Sequence, residues 1–131
     1  MASYTQHYQL HQWEPDDDFL RTDFNADFQK IDAAIGGLLA FGSYTGSGTA
    51  SQTVNLGFTP RALYTCTQDG KAGSDVGSGY CYGGLAFENR PVTHNSQGVV
   101  TIMTDGFRVD APNDYARTNQ SGEIYYYAAV R

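Results

Sequence analysis

Two periodicities divide this chain. Between residues 18 and 40, apolar side chains recur at Phe24, Phe28, Ile31, Ile35 and Leu38, in steps of four, three, four and three. That spacing is a heptad seam, narrower than the broad apolar face of an ordinary surface helix. Asp23, Asp27, Lys30 and Asp32 occupy the opposite side. Thr22 or Asp23 is expected to cap the helix, and Gly36 and Gly37 to end it. A helix of about 13 residues is marginal alone in water, so the seam must be covered. It could lie against the chain's own β-rich part. A strict seam instead favours self-association, and isoleucine at both kinds of core position favours three or more strands. Two heptads are too short to hold a trimer unaided, so the following domain is expected to trimerise too.

From Phe41 onward the period falls to two. "TVNLGF" (53–58), "RALYTC" (61–66), "YCYGGLAF" (80–87), "GVVTIMT" (98–104), "FRVD" (107–110) and "EIYYYAAV" (123–130) read as strands rich in Val, Thr, Tyr, Phe and Ile. Glycine- and Asn-rich loops separate them, and "TDGF" (104–107) carries the Asp-Gly signal of a tight hairpin. The predicted fold class is therefore mainly β. A short N-terminal helix with a trimeric coiled-coil-like seam precedes an antiparallel β-sandwich head. The predicted organisation is an attachment segment over 1–17, a trimerisation helix over 18–40 and a head over 41–131.

Residues 1–15 hold Tyr4, Tyr8, Leu10 and Trp13 without clear period, too few for a core. The segment reads as a flexible tail or a strip that orders on a partner. Asp16, Asp17 and Asp18 follow. Consecutive side chains diverge on regular backbone, so the three favour a helix N-terminus over a metal.

Charge and length narrow the classes. The chain has 131 residues and a formal net charge of -6, the wrong sign for a general nucleic-acid or anionic-membrane binder. The N-terminus lacks a cationic start followed by an apolar run, and no apolar stretch approaches a membrane span. A soluble chain made in the cytoplasm is expected. Cys66 and Cys81 are too few for a disulfide framework or a metal site. Two buried free thiols are expected, with a bridge open if the strands bring their Cα atoms within about 7 Å.

No catalytic constellation emerges. His7 and His11 stand four apart without the glutamate of a zinc-protease motif, and His94 has no nucleophile partner. No serine lies in a G-x-S-x-G elbow, and the glycine-rich loops lack the G-K-[ST] ending of a phosphate loop. A pair of turn carboxylates meeting at a glycosidase separation is neither excluded nor favoured. The expectation is a non-enzyme without cofactor or metal.

Binding has better support. Tyrosine beside small polar residues makes adaptable contact surfaces, and sugars suit rings flanked by Asn, Asp or Arg. Receptor-binding candidates are Tyr80, Tyr82, His94, Asn95, Asn113, Asp114, Tyr115, Arg117 and Asn119, on the loops 67–79, 88–97 and 111–122 and their margins. Tyrosines at alternate positions inside strands are expected to pack in the sheet.

"YQLHQWEPDDDFLRTDFNADFQKIDAAIG" resembles the N-terminal segment of many tail-fibre and receptor-binding proteins of phages and prophages of Firmicutes, with the recurring core kept from Leu10 to Ala34. The "V-LGFTP-A" run and the aromatic C-terminal strand are similar, more loosely, to the β-rich tip that often follows. The resemblance implies a homotrimer in a virion's tail or other surface appendage, attached to a tail or baseplate protein through Tyr8, Leu10 and Trp13. Its head would face a bacterial cell-surface glycan, without membrane insertion. The competing expectations are a capsid fibre or decoration protein with no receptor, and a glycan-cleaving tip enzyme.

Overall fold

The heptad stretch forms α1, Arg21–Gly36. In the computed structural model, which describes residues 1–131, α1 belongs to a compact unit Met1–Leu38, and the rest forms a second unit, Leu39–Arg131. The boundary differs from the expected three-part division because residues 1–17 fold together with the helix. Neither Thr22 nor Asp23 caps α1; Leu20 stands at its N-cap without a side-chain bond. The Asp23 carboxylate instead faces His11 Nε2 at 3.8 Å. Gly37 ends the helix as expected, its N–H donating to the Ala33 carbonyl at 3.1 Å. The aspartate run lies outside the first helical turn, where only Asp23 is acidic. Asp17 accepts the Glu14 N–H at 2.8 Å instead.

The N-terminal segment is ordered, contrary to expectation. Strands β1 (Ser3–Tyr4) and β2 (His11–Gln12) pair antiparallel. One helix residue binds them. Buried Asp27 accepts the His11 backbone N–H at 2.7 Å and bonds its ring Nδ1 at 3.0 Å. Lys30 Nζ donates to the Gln9 carbonyl at 2.6 Å. Burial pushes the Asp27 carboxyl up, but the bonds from His11 and Lys30 outweigh it and hold it below the ordinary aspartate value. An aromatic ladder then runs Tyr4–His11–Trp13–Phe19–Phe24–Phe28, with successive ring centroids 4.6 to 5.4 Å apart. Phe24 and Phe28 thus gain neighbours within their own unit, while all five seam residues keep exposed surface.

The second unit is a sandwich of two four-stranded antiparallel sheets. One has the order β3-β10-β5-β6, from Leu39–Thr45, Ile124–Val130, Ala62–Thr67 and Gly84–Phe87. The other has the order β4-β9-β8-β7, from Ser51–Asn55, Gly106–Asp110, Gln97–Met103 and Val92–His94. Between them lie Tyr44, Leu63, Ala86, Val100, Phe107, Val109, Tyr125 and Ala129, all buried. The mainly β class is therefore observed. Strands β3 and β7 add to the expected set, so His94 closes a strand and is not in a loop.

Cys81 also falls outside a strand. The expected run 80–87 is cut to 84–87 because Gly83 and Gly84 take φ of 137° and 142°. Cys81 then bridges Ser74 and Ala116, and both cysteines are free. The β8–β9 hairpin turns where expected, with Asp105 at φ 66°. No helix is long and apolar enough to cross a membrane.

Candidate functional site

Two loops, 68–83 and 111–123, are stitched together at one end of the sandwich. Cys81 N–H donates to the Tyr115 carbonyl at 2.9 Å, and Arg117 N–H to the Cys81 carbonyl at 2.7 Å. Buried Cys81, Val99 and Ala116 form a small apolar cluster beneath this seam. Behind it, two core tyrosines hold the second loop by their hydroxyls. Tyr125 Oη donates to the Arg117 carbonyl at 2.6 Å and accepts the Gln120 N–H at 3.0 Å. Tyr44 Oη donates to the Thr118 carbonyl at 2.8 Å, and the two rings stack 4.9 Å apart. Burial raises both phenols, so both remain donors.

The floor of the loop is a buried amide. Asn119 donates from Nδ2 to Ser47 Oγ at 3.0 Å and the Thr49 carbonyl at 2.9 Å, and Oδ1 accepts the Ser47 N–H at 2.9 Å. These bonds join the 46–50 turn to the site loop, and they require close approach. A methyl group at Gly46 would collide with the Gln120 carbonyl.

The result is an open cleft of about 790 Å³ lined by Thr67, Asp69, Lys71, Tyr80, Tyr82, Arg117, Gln120, Glu123 and Tyr125 among others. Arg117 sits over Tyr80, its Cζ 4.2 Å from the ring centroid. Its Nη1 donates to Gln120 Oε1 at 2.9 Å, which orients the guanidinium. Tyr82 meets Tyr80 edge-on at 6.3 Å, and Tyr115 lies 5.9 Å from Tyr80, tilted by 35°. Arg117 and Tyr80 also line a second hollow of about 370 Å³, together with Asp114, Tyr115 and Gln120.

Charges in the cleft balance. Asp69 is held below its ordinary value by the Thr67 hydroxyl and then by Lys71, whose Nζ lies 3.2 Å away. The same carboxylate raises Lys71, so both stay ionised at neutral pH. Arg117 and Glu123 carry the remaining two opposite charges. Such a surface offers ring faces, amides and ionic hydrogen-bond partners without net charge. No three or more His, Cys, Asp or Glu side chains converge to hold a metal.

Of the sequence candidates, the structure brings Tyr80, Tyr82, Asp114, Tyr115 and Arg117 to the two hollows. It does not bring the other four there. Asn119 is 1% exposed and committed to the scaffold. Asn113 accepts the Tyr115 N–H at 3.0 Å, which shapes the loop. Asn95, at φ 49°, and Ser96, at φ 65°, make the β7–β8 turn, with His94 paired to Gln97 beside it. Asn tolerates that left-handed geometry, which explains its place there without a ligand. Lys71 and Gln120 carry no signal in the sequence, and Asp69 and Glu123 stand out there only among the turn carboxylates. Asp69-Gly70 is a turn signal, and nothing local shows that it lines one cleft with Arg117.

Comparisons with protein-family models, curated proteins and solved structures returned no match. The fold defines the class, a mainly β protein whose antiparallel sandwich carries an aromatic, charge-balanced cleft at a loop end.

Proposed function

We propose that this chain is a receptor-binding protein of a phage tail or baseplate, which holds a bacterial surface glycan in the Tyr80–Arg117 cleft. The observation that carries the binding half is convergence. Tyr80, Tyr82 and Arg117, from two separate loops, meet around one open cavity, and Tyr80 and Arg117 share a second hollow with Tyr115. Flat rings offer the apolar face of a sugar a stacking surface, and the amide and ionic groups beside them suit its hydroxyls. The even charge balance favours a neutral sugar over a polyanion. The phage half rests on the Leu10–Ala34 segment and its resemblance to tail-fibre N-termini.

Binding proceeds without cleavage. A glycosidase needs one carboxylic acid whose pKa is raised so that it can protonate the leaving oxygen. Asp69 is shifted in the opposite direction and stays ionised beside Lys71. The assembly is a homotrimer through the α1 seam, where Phe24, Phe28, Ile31, Ile35 and Leu38 remain exposed. Three weak sites on one body then raise avidity without new contacts.

The test is a glycan array with a panel of bacterial cell-wall polysaccharides, followed by calorimetry and product analysis. Retained, unmodified glycan is expected, with binding reduced roughly tenfold or more by Arg117→Ala, since a central contact residue of a binding site contributes upwards of about 1.4 kcal/mol. Released fragments would refute the non-enzyme reading. Silence across the panel would refute the receptor reading and favour a virion decoration protein.

A further inference from the structure

The two outer faces of the sandwich differ in chemistry. The exposed part of the outer face of β4-β9-β8-β7 is largely polar, Met103 apart, as a solvated sheet face should be. Ser51, Thr53 and Thr101 point outward there with Arg108, whose Nε donates to Asp110 at 2.9 Å. The outer face of β3-β10-β5-β6 reverses this. Register aligns Leu39, Val130, Ala62 and Phe87 in one row across all four strands. The next outward row is Phe41, Ala128, Tyr64 and Leu85. A third holds Ser43, Tyr126 and Cys66. None of these positions is charged.

The large side chains of this face are open. Leu39, Phe41, Tyr64, Leu85, Phe87, Ile124 and Tyr126 are each 37% to 73% exposed. At roughly 200 Å² per large side chain, they leave on the order of 700 Å² of apolar surface. That stands at the upper end of the range for the largest patch of a typical monomer, about 300–600 Å². It approaches the ~800 Å² per partner of a stable interface.

We propose that the outer face of the β3-β10-β5-β6 sheet is a permanent interface between copies of this chain. Three observations select a copy over a foreign protein. The face has no charge to steer an intermittent partner, and such composition marks interfaces that are never bare. Its area suits a stable oligomer. It also begins at Leu39, the residue after exposed Leu38, so the seam residues and the sheet face follow one another in the sequence. Association through this face supplies the hold that two heptads lack. The inference extends the self-association proposed above and is independent of the glycan.

The experiment is light scattering with sedimentation velocity on the full chain, comparing wild type with Phe41→Lys, Leu85→Lys and Ile35→Asp. Wild type is expected to be oligomeric at micromolar concentration. Phe41→Lys and Leu85→Lys are expected to raise the dissociation constant at least about tenfold each, because each leaves a charge in an apolar contact. Far-UV circular dichroism and a cooperative melt check that both variants fold, since both side chains point outward. As a measurement free of mutation, a bulky maleimide should label Cys66 slowly in the oligomer and rapidly on dilution. A monomeric wild type would overturn the inference, as would an oligomer dissolved by Ile35→Asp but untouched by both lysines. Assembly without glycan binding would support it and refute only the receptor function.

Discussion

Replacing Tyr125 by phenylalanine tests how the cleft is held. Tyr125 is 1% exposed, and its ring stacks on Tyr44 at 4.9 Å. Phenylalanine keeps the ring, its packing and its buried area, so only the hydroxyl is lost. That hydroxyl makes two bonds, donating to the Arg117 carbonyl at 2.6 Å and accepting from Gln120 N–H at 3.0 Å. Each partner left unsatisfied costs about 1–3 kcal/mol if water stays out. The cleft is open, so water replaces part of this, and a total loss of about 2 kcal/mol is expected. For a unit of this size, that corresponds to a Tm lower by about 8–16 °C. Urea unfolding should show a lower midpoint at unchanged slope, because the surface exposed on unfolding is the same. Tyr44→Phe removes one bond, to the Thr118 carbonyl, and should cost about half as much. Glycan affinity should fall with Tyr125→Phe, since the two freed groups belong to the cleft residues Arg117 and Gln120. A Tyr125→Phe protein within about 0.5 kcal/mol of wild type would refute the claim that core hydroxyls set the loop.

Acid should open the N-terminal unit. Asp27 is held below its ordinary value of 3.8 in the folded chain, so its contribution is present above that value and lost as pH falls through its folded pKa. Trp13, the sole tryptophan, stacks on His11 at 5.4 Å, and its fluorescence should report the release below about pH 4. Asp27→Ala should give that signal at neutral pH, and an unchanged spectrum would show that the arm is held otherwise. Gly46→Ala should cost about 1–3 kcal/mol in urea unfolding and weaken the cleft, because the new methyl group displaces the Gln120 carbonyl. A neutral effect would mean that the 118–121 segment yields freely.

Local pattern was enough for several elements. The heptad spacing from Phe24 to Ile35 marks α1, with Leu38 falling just beyond its end, and period-two runs mark β5, β8, β9 and β10 within a residue or two. β3 was hidden because "LAFGSYT" sends Leu39 and Phe41 outward and places Gly42 on the inner side, against the usual sense of a half-buried strand. The N-terminal arm was hidden because its order comes from Asp27, sixteen residues beyond His11. Asn119 and Arg117 look alike as polar loop residues. Only the fold separates them, since one bonds the 46–50 turn and the other covers Tyr80.

By itself, then, the sequence determined the mainly β class, the helix with its unspent seam and the loops from which a site could be drawn. These rest on side-chain periodicity and turn chemistry, which act over a few residues. The tertiary structure decided which loops meet and which outer face stays apolar. "IYYYAAV" is apolar on both sides, and only pairing with β3 and β5 aligns Tyr126, Ala128 and Val130 with Phe41, Tyr64 and Leu39 into one patch. Strand neighbours are chosen by burial and hydrogen bonding across long sequence separations, and no local window carries that information.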